Sequence, residues 1–206
     1  RNVLLARYGS ALATTLKQQR ATIAVEAASL RRALMEVASS VATHQHYVER
    51  DRRIEPVAPA DVVAEVLDTQ QATLARHNIA VDTHLCPVEP IATCRAQLVV
   101  IFANLLSNAI DAIVEAGIAD GRITVHVEEP QAATVRIAVS DNGVGIAPRD
   151  LERVFQLGYT TKAHGHGYGL HSATLAARDL GGSLRCESAG PGMGATFALE
   201  IRQAPA

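Results

Sequence analysis

The polar residues between positions 104 and 115 are spaced for chemistry. Asn104, Asn108, Asp111 and Glu115 recur at steps of four, three and four, so a helix brings all of them to one face. Exposed Asp and Glu on a helix need no special account. Two amides at i and i+4 inside a stretch as apolar as NLLSNAIDAIV do, because Asn is a mediocre helix former with several hydrogen bonds to satisfy. An amide oxygen is a hard ligand of the kind Mg2+ accepts when the ion is already bound to phosphates. Ile101, Leu105, Ala109 and Ile113 cover another side of the same helix, which marks that side for packing.

Three glycine-rich segments follow. Asp141-Asn142-Gly143-Val144-Gly145-Ile146 comes directly after an alternating apolar stretch, and its glycines permit a tight turn and close approach of backbone to a ligand. A carboxylate at the end of a strand can accept a hydrogen bond from a buried amine, although a plain turn accounts equally for Asp-Asn-Gly. Gly165-His166-Gly167-Tyr168-Gly169-Leu170 opens a helix, where free backbone N–H groups and the helix dipole suit phosphate oxygens. Its spacing is not GxGxxG and it does not sit in a βαβ unit, so a dinucleotide-binding reading fails. Just upstream, Gly158-Tyr159-Thr160-Thr161-Lys162 offers hydroxyls and one cation to a terminal phosphate, or is a solvated loop. Gly192-Met193-Gly194-Ala195-Thr196-Phe197 is a turn entering a strand.

In this order, NLLSNAIDA (104–112), DNGVGI (141–146), VF (154–155) with GYTTK, GHGYGL (165–170) and GMGATF (192–197) resemble the N, G1, F, G2 and G3 boxes. These boxes define the Bergerat-fold ATP-binding superfamily, also called GHKL, of gyrase, heat-shock protein 90, histidine kinases and MutL proteins. The resemblance covers roughly residues 56–202, and NLLSNAIDA and GYTTK look most like sensor histidine kinases. It implies ATP and Mg2+ as cofactors, with Asn108 ligating the metal and Asn104 on the phosphate side. It implies that Asp141 accepts the adenine amino group, that Gly143 and Gly145 let the base approach, and that Thr196 helps hold Asp141 through water. It further implies that Gly165, Gly167 and Gly169 belong to a lid around the phosphates, with Lys162 as a candidate γ-phosphate contact. Asp111, Ile146, Thr160, Thr161, Tyr168 and Leu170 complete the implied nucleotide contacts. ATP-hydrolysing relatives resemble one another in having Glu four residues before the metal-binding Asn. Here Asn104 stands at that place and cannot act as a general base, which favours phosphoryl transfer to a protein side chain, with Asn104 and Lys162 as the catalytic residues.

These segments need elements to position them. Helices are predicted at 60–76, 95–116 (ended by Gly117), 150–156 and 168–180, and strands at 79–85, 122–128, 133–140, 183–187 and 195–201. Helices between strands and hairpins at the end indicate an α+β domain, a two-layer α/β sandwich with a mixed, largely antiparallel sheet. Residues 1–54 read as a separate all-α segment. They lack proline up to the charged run Glu49–Arg53, and Ala27, Leu30, Leu34, Val37, Val41 and Val48 recur near helical spacing. The charged run with Pro56 and Pro59 marks a linker into the ATP-binding domain, 55–206.

Composition narrows the partners. A net charge of -2 leaves no basic footprint for nucleic acid, and three widely spaced cysteines without CxxC fit a reducing compartment, not a disulfide framework or zinc site. No unbroken apolar run reaches the roughly 18 residues that cross a bilayer. The chain opens Arg1-Asn2 without Met, so it reads as a cytoplasmic fragment with no membrane contact of its own. For a histidine kinase, the resemblance implies a homodimer through the N-terminal helices and a response regulator receiver domain as partner. Neither His44 nor His46 is followed by Glu or Asp, which places the phosphoacceptor before Arg1. His164, His166 and His171 sit in and after the lid without an accompanying carboxylate or Cys and do not read as a metal site. An anti-sigma-type Ser/Thr kinase and a non-enzymatic ATP-binding module are the alternatives on the same fold.

Overall fold

The computed structural model describes residues 53–162 and 167–202. Residues 1–52, with the expected helical segment and its two histidines, lie outside the described residues, as do Gly165, His164 and His166. The described chain runs β1 (Ile54–Val57), α1 (Pro59–Arg76), β2 (Ala80–Leu85), β3 (Ile91–Cys94) and α2 (Arg95–Ala116). It continues with β4 (Arg122–Gln131), β5 (Thr134–Asp141), two 3-10 turns (Pro148–Asp150 and Arg153–Phe155), α3 (Gly169–Asp179), β6 (Gly182–Glu187) and β7 (Ala195–Arg202).

Five strands form one sheet in the order β2-β4-β5-β7-β6, with β2 and β4 parallel and every other pair antiparallel. The mixed, largely antiparallel sheet is therefore present. Alternation along its strands sorts the side chains. Ile123, Val125 and Val127 of β4, Val135, Ile137 and Val139 of β5, and Phe197, Leu199 and Ile201 of β7 are buried on the helix side. The opposite side carries Thr124, His126, Arg136, Ser140, Thr196 and Glu200. Helices α2 and α3 cover the apolar side, and α1 packs on α2.

Helix α2 is the centre of the core. Leu98, Ile101, Phe102, Leu105, Leu106, Ala109, Ile110 and Ile113 are all buried, with Leu105 at 0% exposure. It ends where Gly117 turns left-handed, φ 64°, and donates its N–H to the Val114 carbonyl. Helix α1 starts with Pro59 in its first turn, where no N–H partner is needed, and carries Asp61 at its N-terminal and Arg76 at its C-terminal end of the dipole. By length and hydropathy α2 also qualifies as able to cross a membrane, at mean hydropathy 1.7, although polar residues interrupt its sequence. Its burial shows where that hydrophobicity goes, because the apolar side chains face the sheet and the neighbouring helices.

Two features differ from the expectation. The stretch read as linker contains β1, which pairs antiparallel with β3, likewise not predicted, as Ile54↔Cys94 through Val57↔Ile91. Four-residue strands carry little periodic signal, and Pro56 argued against one. Proline is tolerated here because a two-stranded sheet is all edge. The helix expected at 150–156 is instead two 3-10 turns. A segment this short cannot repay helix nucleation, and neither turn has a side-chain cap.

The burial of α2 has a measurable consequence. We expect Leu105→Ala to lower the unfolding free energy of this domain by about 3 kcal/mol in urea titration, from lost burial plus the cavity left behind. Val114→Ala, on the exposed side of the same helix, should cost less than about 0.5 kcal/mol.

Candidate functional site

The two glycine-rich loops at the end of β5 and the start of β7 are joined by backbone. Gly192 N–H donates to Val144 O at 2.6 Å, and Gly194 N–H donates to Gly143 O at 3.2 Å. The first loop also lies directly on α2, where Val144 N–H donates to the Ala112 carbonyl at 3.2 Å. A Cβ at Gly143 would come within 2.5–2.7 Å of Ala112 backbone and side-chain atoms, so only glycine fits this contact. Asn142 ties the loop from behind, accepting from Arg122 N–H at 2.8 Å and donating to Asp120 O at 3.0 Å.

Between α2, these loops, the 3-10 turns and the start of α3 lies a cavity of about 460 Å³, within the usual range for small-molecule sites. It gathers Asn108, Asp111, Asp141, Gly145, Ile146, Thr160, Thr161, Lys162, Gly167, Gly169 and Leu170 from the sequence-predicted set. Val144, Val154, Ala195 and Phe197 add apolar wall, and Phe197 meets Phe155 edge-on at 6.3 Å between ring centroids. At the rim, the Arg153 guanidinium lies 4.7 Å over the Tyr159 ring and bonds Asp150 at 3.0 Å.

Asp141 is the half-buried carboxylate of this cavity. It accepts from Gly143 N–H at 2.8 Å, and the N–H of Ala195, its partner across the β5–β7 ladder, lies nearby. Burial pushes its carboxyl pKa up from 3.8, and the two N–H groups only partly pull it back. The neighbouring Cys186 thiol is pushed up to about 12, by burial first and then by Asp141 and Glu187, so it is not a nucleophile. Elsewhere in the cavity, Lys162 Nζ donates to Asp111 Oδ2 at 2.6 Å and to Asn108 Oδ1 at 3.2 Å. An ammonium resting on these two oxygens shows that they accept a cation. Among the described residues no three His, Cys, Asp or Glu converge as a metal site. A divalent ion at Asn108 therefore needs further ligands from a substrate, which suits Mg2+ carried on phosphates.

Four predicted residues do not line the cavity: Gly143, whose contact with Ala112 is given above, and Asn104, Tyr168 and Thr196. Asn104 does not line the cavity; its amide donates to Val100 O at 2.9 Å, and its Oδ1 lies against Gly169 at the start of α3. Tyr168 lies just before α3 and is likewise off the cavity lining. Thr196 is on the other side of the sheet from the cavity, its hydroxyl 2.8 Å from that of Ser140. Pleat parity is the reason, since Ala195 and Phe197 face the cavity and the residue between them faces away. GMGATF shows only that Ala195 and Phe197 share one face and Thr196 the other; which face meets the cavity, and that Ala195 sits opposite Asp141, come from the pairing of β7 with β5. Ser188, which braces the loops through side-chain bonds, carried no periodic or motif signal, and Asn142, though inside DNGVGI, was given no role of its own.

Residues 94–205 match the family of histidine kinase-, DNA gyrase B- and HSP90-like ATPases. The chain belongs to this family. Among curated relatives, it is 29% identical over 153 residues to the sensor protein CitS of Halalkalibacterium halodurans, covering 73% of this chain and 28% of that protein. It is 39% identical over 110 residues to the C4-dicarboxylate transport sensor protein DctB of Rhizobium meliloti, covering 53% of this chain and 17% of that protein. The chain thus spans less than a third of the length of these relatives. In fold it is similar to full-length ShkA, solved in complex with AMPPNP, with a TM-score of 0.64 at 22% identity over 74% of this chain and 32% of that one. The two-layer sandwich is the fold of this ATPase family.

Within the family fold, the raised pKa of Asp141 makes a stability statement. The unfolded chain gives up this proton more readily than the folded one, so the ionised carboxylate destabilises the native state. The penalty is full well above the folded pKa, is relieved as pH falls through it, and is gone below 3.8, where both states are protonated. We expect Asp141→Asn to raise Tm at pH 8, with the gain level until the pH of the thermal scan nears the folded pKa and shrinking below that. A gain that grows on acidification would contradict this.

Proposed function

We propose that this chain holds the ATP-binding catalytic domain of a histidine protein kinase of a two-component system, which transfers the γ-phosphate of ATP to a histidine side chain. The observation that carries this reading is the convergence on one cavity of an apolar-flanked carboxylate, Asp141, with a polar group made of Asn108, Asp111 and Lys162. The first suits a purine bearing an amino group. The second suits phosphates and their cation. The similarity to sensor proteins supports assigning the pair to a signalling kinase.

In this reading Asp141 accepts a hydrogen bond from the adenine amino group, held in place by Gly143 N–H. The apolar walls at Ile146, Leu170 and Phe197 sandwich the base and keep water from it. Asn108 offers its amide oxygen to Mg2+, which, when bound with the nucleotide, neutralises phosphate charge. Lys162 supplies a charge-assisted hydrogen bond to the terminal phosphate, and backbone N–H groups at Gly167 and Gly169 face phosphate oxygens at the start of α3. The amide at position 104 supports transfer over hydrolysis, since an Asn there cannot serve as general base for water. The remaining parts of the reading are a cytoplasmic homodimer joined through residues 1–54 and a response regulator receiver domain as the downstream partner.

The decisive experiment uses γ-phosphate-labelled ATP with Mg2+ on this chain and on a longer form carrying sequence upstream of Arg1. We expect acid-labile, base-stable label on the longer form, reduced by about 100-fold or more in Asn108→Ala. Acid-stable label would point to a Ser/Thr kinase of the anti-sigma type. ATP binding without label on either form would leave a non-enzymatic nucleotide-binding module.

A further inference from the structure

The cavity is lined by acids. Asp111, Glu115, Asp141 and Asp150 contribute carboxylates, against a single cation, Lys162, among the described lining residues. Arg153 answers Asp150 from the rim at 3.0 Å. The Lys162 ammonium is already engaged, donating to Asp111 Oδ2 at 2.6 Å and to Asn108 Oδ1 at 3.2 Å. An anionic ligand therefore enters a cavity whose one lining cation is committed to the protein. The commitment is exchangeable, because the Asp111 side chain is 51% exposed and an ion pair open to water holds weakly.

The backbone beside Lys162 is held independently of its ammonium. Lys162 N–H donates to Thr160 Oγ1 at 3.1 Å, and Gly158 N–H donates to Gly167 O at 3.1 Å. The ammonium can thus leave Asp111 by rotation of its flexible four-carbon stem, with the segment that carries it in place. Asn108 Oδ1 is also the oxygen offered to Mg2+. An ammonium 3.2 Å from that oxygen and a divalent cation bound to it would crowd like charges together, partly withdrawn from water, where they repel strongly. Lysine and metal exclude each other from Asn108.

We propose that Lys162 sets the preference of this site for a nucleoside triphosphate over a diphosphate by competing with the metal for Asn108 and Asp111. This rests on the reading of the cavity as a Mg-ATP site. When metal and nucleotide enter together, the ammonium must give up both oxygens. A triphosphate offers it the terminal phosphate in exchange. A diphosphate lacks that partner, so the ammonium returns towards Asn108 and Asp111 and loosens the metal and the nucleotide with it. One lysine thereby favours the substrate and disfavours the product, an attractive and a repulsive contact combined in a single side chain.

Calorimetric titration of ATP and ADP, each with Mg2+ and with EDTA, into the 206-residue chain and its Lys162→Met variant separates the possibilities. With Mg2+ the wild-type chain is expected to prefer ATP by about tenfold or more, the worth of a charge-assisted hydrogen bond. Lys162→Met, which keeps the stem and removes the charge, should weaken ATP by about threefold or more and tighten ADP by about threefold or more. With EDTA the tightening of ADP should vanish, because nothing then displaces the lysine. Should Lys162→Met not fold, Lys162→Gln takes its place. Weakened ATP with unchanged or weakened ADP overturns the proposal, leaving Lys162 a plain phosphate contact and the Mg-ATP reading standing. Tightening of ADP that persists in EDTA also overturns it, since the lysine then obstructs the nucleotide and not the metal. So does equal tightening of both nucleotides, or a wild-type chain without preference for the triphosphate. A wild-type chain that binds neither nucleotide, or binds both regardless of Mg2+, removes the Mg-ATP reading itself, and the proposal with it.

Discussion

The contact of the Asp141–Ile146 loop with the Ala112 turn of α2 is the constraint on which the site depends. At Gly143 the two backbones approach more closely than any side chain allows, and the Val144 N–H to Ala112 carbonyl bond locks them in register. That single contact sets Asp141, carried by the sheet, relative to Asn108 and Asp111, carried by the helix. Everything else in the cavity is arranged around it. The loop before β7 is laced to the first loop by backbone bonds, and Asn142 and Ser188 brace the assembly from the two outer sides. Because α2 is also the most deeply buried helix, its position is held by the whole core and not by the loops.

The chemistry of the cavity sets stability against function. A carboxylate half-withdrawn from water raises the energy of the native state, and the two N–H groups that face it compensate only in part. Such a group is retained where a ligand supplies the missing hydrogen-bond donor. The Lys162 ammonium and the oxygens of Asn108 and Asp111 form a second polarised group, satisfied internally but exposed enough to exchange partners. The two groups differ in kind, one an acceptor among apolar walls and the other a cation-binding pair near backbone N–H groups. That difference is what orients an amphipathic ligand with a purine at one end and phosphates at the other.

Much of this was legible in the residues. The 3.6-residue period placed Asn104, Asn108, Asp111 and Glu115 on one face of a helix from 95 to 116, and α2 spans Arg95–Ala116. Alternation marked the strands ending at Asp141 and starting at Ala195, and the boxes told which family the chain joins. Legibility failed where local signal is short. β1 and β3 have four residues each and are stabilised by one another across distant sequence, and the turns before Phe155 are too brief for a helix.

The sequence by itself determined the elements, the apolar faces and the order of the chemistry-bearing segments, because periodicity and glycine placement are local properties of the chain. The tertiary structure alone decided which of those residues meet. It brought Lys162 onto Asn108 and Asp111 across more than fifty positions, left Asn104 bonded to its own helix, and turned Thr196 to the far side of the sheet. It also assigned work to Ser188, whose type and neighbours gave no hint of a role. The physical reason is common to all but Asn104, whose bond to Val100 O lies within one turn of its own helix. Side-chain partners are selected by strand pairing, helix packing and loop-to-loop bonds, which are long-range contacts that no local pattern encodes.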